Sequence, residues 1–271
     1  MSQTSLENKS ISRFAHICSR IAAYSNWYAL IWPFNRIGSE GRVIRTWGGV
    51  KIYVRSIFGP DWVVAHEMFS RDDYQIARLP LSGQSIILDI GANIGAFTVF
   101  ASYCFRDAKI FSYEPAATNF EVLKKNIDLN ALEGRVRPFQ LAVSVKTGEE
   151  IMTYSDQEYE HSLIANQVDL AHVLKSEKVM CTTIADIIAD NKLDIVDLIK
   201  MDIVGLEYEI LYALSEDTFK KIRYIALEIH DHKKHAAGDL IKFLEQKGFT
   251  VVRSPKHVRV YMATNNNSVK K

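Results

Sequence analysis

Cysteine is scarce in this 271-residue chain: Cys18, Cys104 and Cys181 are far apart and odd in number. No C-x-x-C pair occurs, which argues against a disulfide framework or a zinc ribbon and fits a reducing cytoplasm. An excess of charge of one sign is missing too. The net charge is +1, so bulk electrostatics give no footprint for a polyanion. Neither a basic stripe nor an N-P-P-Y base-holding motif is present, and a nucleic-acid partner is not expected. Long apolar runs are also absent. The longest falls far short of the ~20 residues a membrane span needs, and Arg13, His16 and Arg20 break any secretory h-region.

What remains is ordinary globular usage, 48% hydrophobic and 24% charged. Such usage fits one soluble domain with an N-terminal extension; the motifs that follow place an α/β catalytic domain over residues 81–264, after an extension over 1–80 and before a polar tail over 265–271. The organising stretch is SIILDIGANIGAFTVF, residues 85–100. Its apolar run IILDI reads as a buried parallel strand, followed by a tight turn and a helix. Gly91 and Gly95 let the backbone turn sharply and come close to a ligand. In open α/β sheets this turn, at the carboxyl end of the first strand, is a nucleotide-binding position.

The spacing says which nucleotide. A dinucleotide fingerprint, G-x-G-x-x-G/A, would put its second glycine on Asn93. The chain instead reads D-x-G-x-N-x-G across Asp89, Gly91, Asn93 and Gly95, a pattern of S-adenosylmethionine-dependent methyltransferases, whose ligand has no pyrophosphate. A second short strand, KIFSY, ends in Glu114 about 20 residues later, the spacing at which an acid meets a ribose. A carboxylate there accepts charge-assisted bonds from ribose hydroxyls, on the order of 1.5–3 kcal/mol each.

Several blocks then coincide in order and spacing: LDIGANIGAFTVFAS, YEPAATNFEVLKKNIDLN, LAVS, DLIKMDIVGLEYEIL and YIALEIHDH. Over roughly residues 50–262 the chain resembles the FkbM family of methyltransferases. The resemblance implies a Rossmann-like fold, with a mostly parallel seven-stranded sheet and helices on both faces. It also implies S-adenosylmethionine as cofactor and O-methylation of a hydroxyl on a sugar, glycan or natural product. A nucleic-acid methyltransferase and a catalytically degenerate cofactor-binding module are the competing classes. In related enzymes the third strand ends beside the adenine, which nominates Ala142 and Val143 at the end of a strand over 137–143. One departure stands out: in the family pattern K-[IM]-D-[VI]-E-G-x-E the second glutamate is Glu207, but the first is replaced by Val204.

Ahead of that region, residues 11–32 carry apolar side chains at helical spacing. They predict a helix that packs on the catalytic domain or makes a homodimer contact; a membrane-surface helix is the rival reading. Residues 42–58 alternate around Gly48-Gly49 and read as a hairpin, with a short helix over 61–69. This segment caps the carboxyl edge of the sheet, where His66, Glu67 or Tyr74 would reach a substrate unless each is simply packed. Residues 155–176 lack periodicity and read as a substrate-side loop. Further on, 196–201 predicts the central strand, 206–214 a helix, 223–229 a strand and 233–247 a helix. The pair 249–253 and 258–262 closes the sheet antiparallel.

Methyl transfer to an alcohol needs positioning and a base for the departing proton. Asp202, Glu228 and His230 fall at neighbouring strand ends and are the candidate catalytic residues. His230, with an ordinary pKa near 6.5, is the base its chemistry favours. His230, His232 and His235, with Asp231 and Glu228, also read as a metal cluster, but His230 and His232 diverge unless the strand continues and His235 belongs to the next helix, so no metal ligand is nominated. Asp202, freed of a neighbouring acid by Val204, is expected to carry catalysis.

Overall fold

The computed structural model describes residues 24–26, 41–155, 161–162, 173–230 and 236–268. The predicted helix over 11–32 lies almost wholly outside them, as do Asp231, His232 and His235. The apolar run at the centre forms β3 (Ile86–Ile90), flanked by β4 (Lys109–Tyr113) and β10 (Val196–Met201), all parallel. Continuous apolar sequence here reflects burial on both faces. Ile87 and Leu198, paired across β3 and β10, face one hydrophobic cluster with Phe97 and Leu123. Leu88 and Ile199, the next pair along, face the other with Tyr208 and Leu240. Burying each such side chain contributes about 1.5–3 kcal/mol.

The sheet has seven strands in the order β12-β13-β11-β10-β3-β4-β5. Here β5 is Val136–Phe139, β11 Ile222–Glu228, β12 Phe249–Arg253 and β13 Val260–Asn265. Only β13 runs against its neighbours, pairing antiparallel with β11 and β12. On the first face lie α1 (Pro60–His66), α2 (Ala96–Cys104) and α3 (Ala117–Leu129). The second carries α4 (Ile184–Asp190), α5 (Glu207–Ala213), α6 (Glu216–Lys221) and α7 (Ala237–Gln246). This is the expected Rossmann-like α/β architecture. Its strand order reverses between β3 and β10, the switch point where open sheets bind ligands.

The hairpin over 42–58 forms as β1 (Arg42–Arg45) and β2 (Lys51–Val54). Polar residues on α3 dock it. Asn126 Oδ1 accepts from the Tyr53 N–H at 2.6 Å, and Asn130 Oδ1 from that of Lys51 at 2.9 Å. Ile44, Ile52, Val54 and Trp62 join the cluster that holds Ile87 and Leu198, so the extension and the sheet share one core.

Two details differ from expectation. The helix over 61–69 stops at His66 and continues as a π-helical turn, Glu67–Arg71. The single strand over 137–143 is two. β5 stays in the main sheet, whereas β6 (Ala142–Val143) leaves it to pair with β9 (Val173–Thr182). With β7 (Gly148–Ser155) and β8 (His161–Ser162) these form a separate four-stranded sheet, β6-β9-β7-β8. The predicted loop over 155–176 is therefore shorter, since β9 begins at Val173; residues 156–160 and 163–172 are outside the described set.

Candidate active site

The turn after β3 is held from both sides. Gly91 and Ala92 donate their N–H groups to the Tyr113 carbonyl at 3.1 and 2.9 Å. Gly91 has φ +73, and a Cβ there would sit 2.1 Å from the Asp202 carbonyl oxygen. Only glycine lets the end of β3 pass the end of β10 so closely. Gly95, at φ +82, would bring a Cβ to 2.5 Å from Leu123 Cδ1. Asn93, between them, is also left-handed, at φ +51, a region asparagine tolerates. Asn126 fastens the turn to the hairpin by donating to the Ile94 carbonyl at 2.8 Å.

Glu114 follows β4 and turns back to this loop. Its two oxygens accept the N–H groups of Asn93 and Ala116 at 2.8 and 3.0 Å. Burial pushes its pKa up to about 7 despite those bonds. Each carboxylate oxygen has a second lone pair, so room remains for hydroxyl donors. The residues therefore fit the adenosine end of S-adenosylmethionine. Asp89 lies beneath the loop, fully buried, accepting from Thr98 Oγ1 at 2.5 Å. Burial raises its pKa, and Lys200 Nζ at 3.5 Å opposes the rise. Ala142 and Val143 are buried in the small sheet, Ala142 beside Ala116.

Sequence reasoning missed Lys200. This cation on β10 is nearly buried, and it donates to the Gly91 carbonyl at 2.6 Å while lying 3.9 Å from Asp202 Oδ2. It ties the glycine turn to the strand that carries Asp202. Its signal was a charge inside the otherwise apolar run VDLIKM, where an unpaired cation would be costly.

Asp202, Glu228 and His230 are brought together, each offering a ligand atom within 4.8 Å of the others. His230 Nε2 is 3.6 Å from Glu228 Oε1, and its Nδ1 is 2.9 Å from Glu207 Oε1. Glu207 is completely buried and also accepts the Ile203 N–H at 3.3 Å. Burial alone would lower the His230 pKa, but the bond to Glu207 and the surrounding acids carry it to about 8. Burial, then the Asp202 charge, raises Glu228 to about 7, against the opposing pull of His230 and Arg259. Arg259 Nε lies 3.2 Å from Glu228 Oε1.

The extension does reach the site. The Tyr74 hydroxyl lies 3.4 Å from Asp202 Oδ2, its ring held edge-on by Phe97. Glu67 is electrostatically linked to both Asp202 and Glu228, whose charges act with its own. His66 instead stacks on Trp62 at 5.2 Å and bonds Ser70 at 2.9 Å, a packed residue. An open groove of about 790 Å³ between α3 and β5, lined by Lys124, Lys125 and Arg137, includes none of the clustered groups.

The family described as "Methyltransferase FkbM domain" matches residues 89–251, from Asp89 through α7 and into β12. The chain belongs to the FkbM methyltransferase family. Methyltransferases of this family use S-adenosylmethionine, the cofactor expected from the glycine turn and Glu114. The chain is 27% identical over 213 residues to methyltransferase sdnD of Sordaria araneosa, covering 69% of this chain and 81% of that protein. It is 27% identical over 212 residues to the 31-O-demethyl-FK506 methyltransferase FkbM of Streptomyces tacrolimicus, covering 69% and 80%. A solved FkbM methyltransferase from Methylobacillus flagellatus aligns at 14% identity and a TM-score of 0.47, over 74% of this chain and 52% of that one. Among the described residues no helix is long and apolar enough to cross a membrane.

Proposed function

We propose that this FkbM-family methyltransferase moves a methyl group from S-adenosylmethionine to a hydroxyl of a small molecule, glycan or natural product. One observation carries the reading: Asp202, Glu228 and His230 converge within 4.8 Å at the ends of β10 and β11. They do so where Gly91 packs against the Asp202 backbone. S-adenosylmethionine supplies a methyl carbon activated by a positive sulfur. Gly91, Asn93, Gly95 and Glu114 hold it, Asp89 and Lys200 set the loop from below, and Ala142 and Val143 flank it. One relative methylates 31-O-demethyl-FK506, and its name places that reaction at oxygen.

In this reading Glu228 accepts the acceptor's proton. A base works best with a pKa near the working pH, and Glu228 is pushed up to about 7. His230, raised to about 8, is mostly protonated at neutral pH. It orients Glu228 and the acceptor oxygen rather than serving as the base that its ordinary pKa suggested. Asp202, with the hydroxyl of Tyr74 beside it, positions the acceptor. Val204 removes one family carboxylate from this wall and leaves these three in place.

The test is methyl uptake across a panel of hydroxylated natural products and glycans, read as S-adenosylhomocysteine formation. Turnover on at least one hydroxyl, reduced in Glu228→Gln and Asp202→Asn, supports the reading. Full activity in Asp202→Asn, or methylation of nucleic acid alone, overturns it.

A further inference from the structure

A second cluster of ionisable groups lies at the rim of the site, and the methyl-transfer reading does not use it. Glu67 starts the π-helical turn after α1, Asp73 follows it in the loop, and His257 sits between β12 and β13. Each offers a ligand atom within 4.8 Å of the others. The decisive group is Asp73. Its side chain is 4% exposed, and neither oxygen accepts a hydrogen bond. Arg71 Nε lies 3.0 Å from Oδ1, which leaves Oδ2 with no partner. A buried carboxylate oxygen left this way is costly, and buried polar groups in folded proteins are nearly always satisfied.

The two segments are fixed to each other without help from a ligand. Ser254 Oγ donates to the Asp73 carbonyl at 2.7 Å, and Arg71 Nη2 donates to the Lys256 carbonyl at 2.5 Å. Lys256 Nζ returns a bond to the Arg71 carbonyl. The spacing of Glu67, Asp73 and His257 is thus set by side-chain-to-backbone bonds across 181 and 185 residues of sequence separation. Such prior fixing is what a metal site needs, since ligands must be held before the ion arrives.

We propose that Glu67, Asp73 and His257 form a site for a first-row divalent cation, Mn²⁺ or Zn²⁺. Two carboxylate oxygens and one imidazole nitrogen suit these ions better than Mg²⁺, which favours an all-oxygen octahedron. The cation gives the buried Asp73 carboxylate a ligand bond in addition to its ion pair with Arg71. It clips the extension to the β12–β13 loop and leaves coordination positions for water or for an oxygen of the acceptor. The site does not depend on the methyl-transfer reading.

The experiment uses the full chain, stripped with EDTA and titrated with MnCl₂, with free Mn²⁺ read by electron paramagnetic resonance. One saturable equivalent is expected, displaced by Zn²⁺ and not by excess Mg²⁺. Asp73→Asn and His257→Gln each weaken it by about tenfold or more, while Glu228→Gln leaves it unchanged. Circular dichroism checks that each variant is folded, and His257→Gln decides alone if Asp73→Asn is not. Calorimetry with S-adenosylmethionine on the same samples reads the cofactor site separately. Absence of saturable Mn²⁺ binding overturns the proposal. So does binding that survives His257→Gln, or that is lost in Glu228→Gln, which would move the ion to the cluster at β10 and β11.

Discussion

Replacing Glu207 with Gln removes a buried charge whose partner is His230. In the wild type His230 titrates at about 8, although burial acts to lower it. With the Glu207 charge gone, burial is opposed only by the more distant acids, and the pKa falls. The wild-type rise from the ordinary 6.5 to about 8 corresponds to about 2 kcal/mol, an upper bound on what the Glu207 charge supplies. The histidine pKa is raised on folding, so its stabilisation is fully present below pH 6.5 and is lost as pH rises through 8. Glu114 and Glu228 are also raised, to about 7 each, so their stabilisation is lost between about pH 4.5 and 7. Glu114 is present in both proteins and cancels in the difference, whereas Glu228, 3.6 Å from His230, loses part of the cation that holds its pKa down and shifts further up in the variant. Urea unfolding of wild type and Glu207→Gln from pH 5.5 to 9 is the assay. The gap between them should narrow by up to about 2 kcal/mol across pH 6.5–8, and the His230 ring resonance should titrate lower in the variant. A gap that stays constant over that window would refute the ion pair.

Three other outcomes follow from the same geometry. Gly91→Ala combines a positive φ with a 2.1 Å overlap on backbone and should cost about 3 kcal/mol in chemical denaturation. Val204 is β-branched at φ +43, so Val204→Gly should raise stability by about 0.5–1 kcal/mol at unchanged m-value. If Glu228 is the base, kcat/KM should rise with pH through about 7, because the proton acceptor must be ionised. Glu228→Gln should then lose about 10²–10⁴-fold and abolish that limb of the profile.

Much of the fold is legible because its central strands are buried on both faces, and IILDI and VDLIKM can be little else. The glycine turn and Glu114 are equally local, and the structure brings them together through the Asn93 N–H. What is lost is non-local. Nothing in the run RPFQLAV marks the point where β5 ends and β6 leaves for another sheet, because that choice is made by pairing with β9. Lys200 reads as an interruption until its partner, the Gly91 carbonyl 109 residues earlier, is known. His230 reads as a base from its ordinary pKa, whereas Glu207, 23 residues upstream, changes its charge. The left-handed backbone at Val204 has no signature in its residue type, since valine is among the poorest choices for it. Asp73 and His257 meet only when the extension folds over the β12–β13 loop.

The measurement that bears most directly on the central claim is calorimetric titration of S-adenosylmethionine into the full chain and into Glu114→Ala. The account predicts a single saturable site in the wild type. In buffer well above pH 7, where Glu114 is ionised, Glu114→Ala removes a charged acceptor for the ribose hydroxyls, a loss of on the order of 1.5–3 kcal/mol, and so weakens binding by about tenfold or more. Equal affinity in the two proteins, or tight NAD binding in place of S-adenosylmethionine, would contradict it.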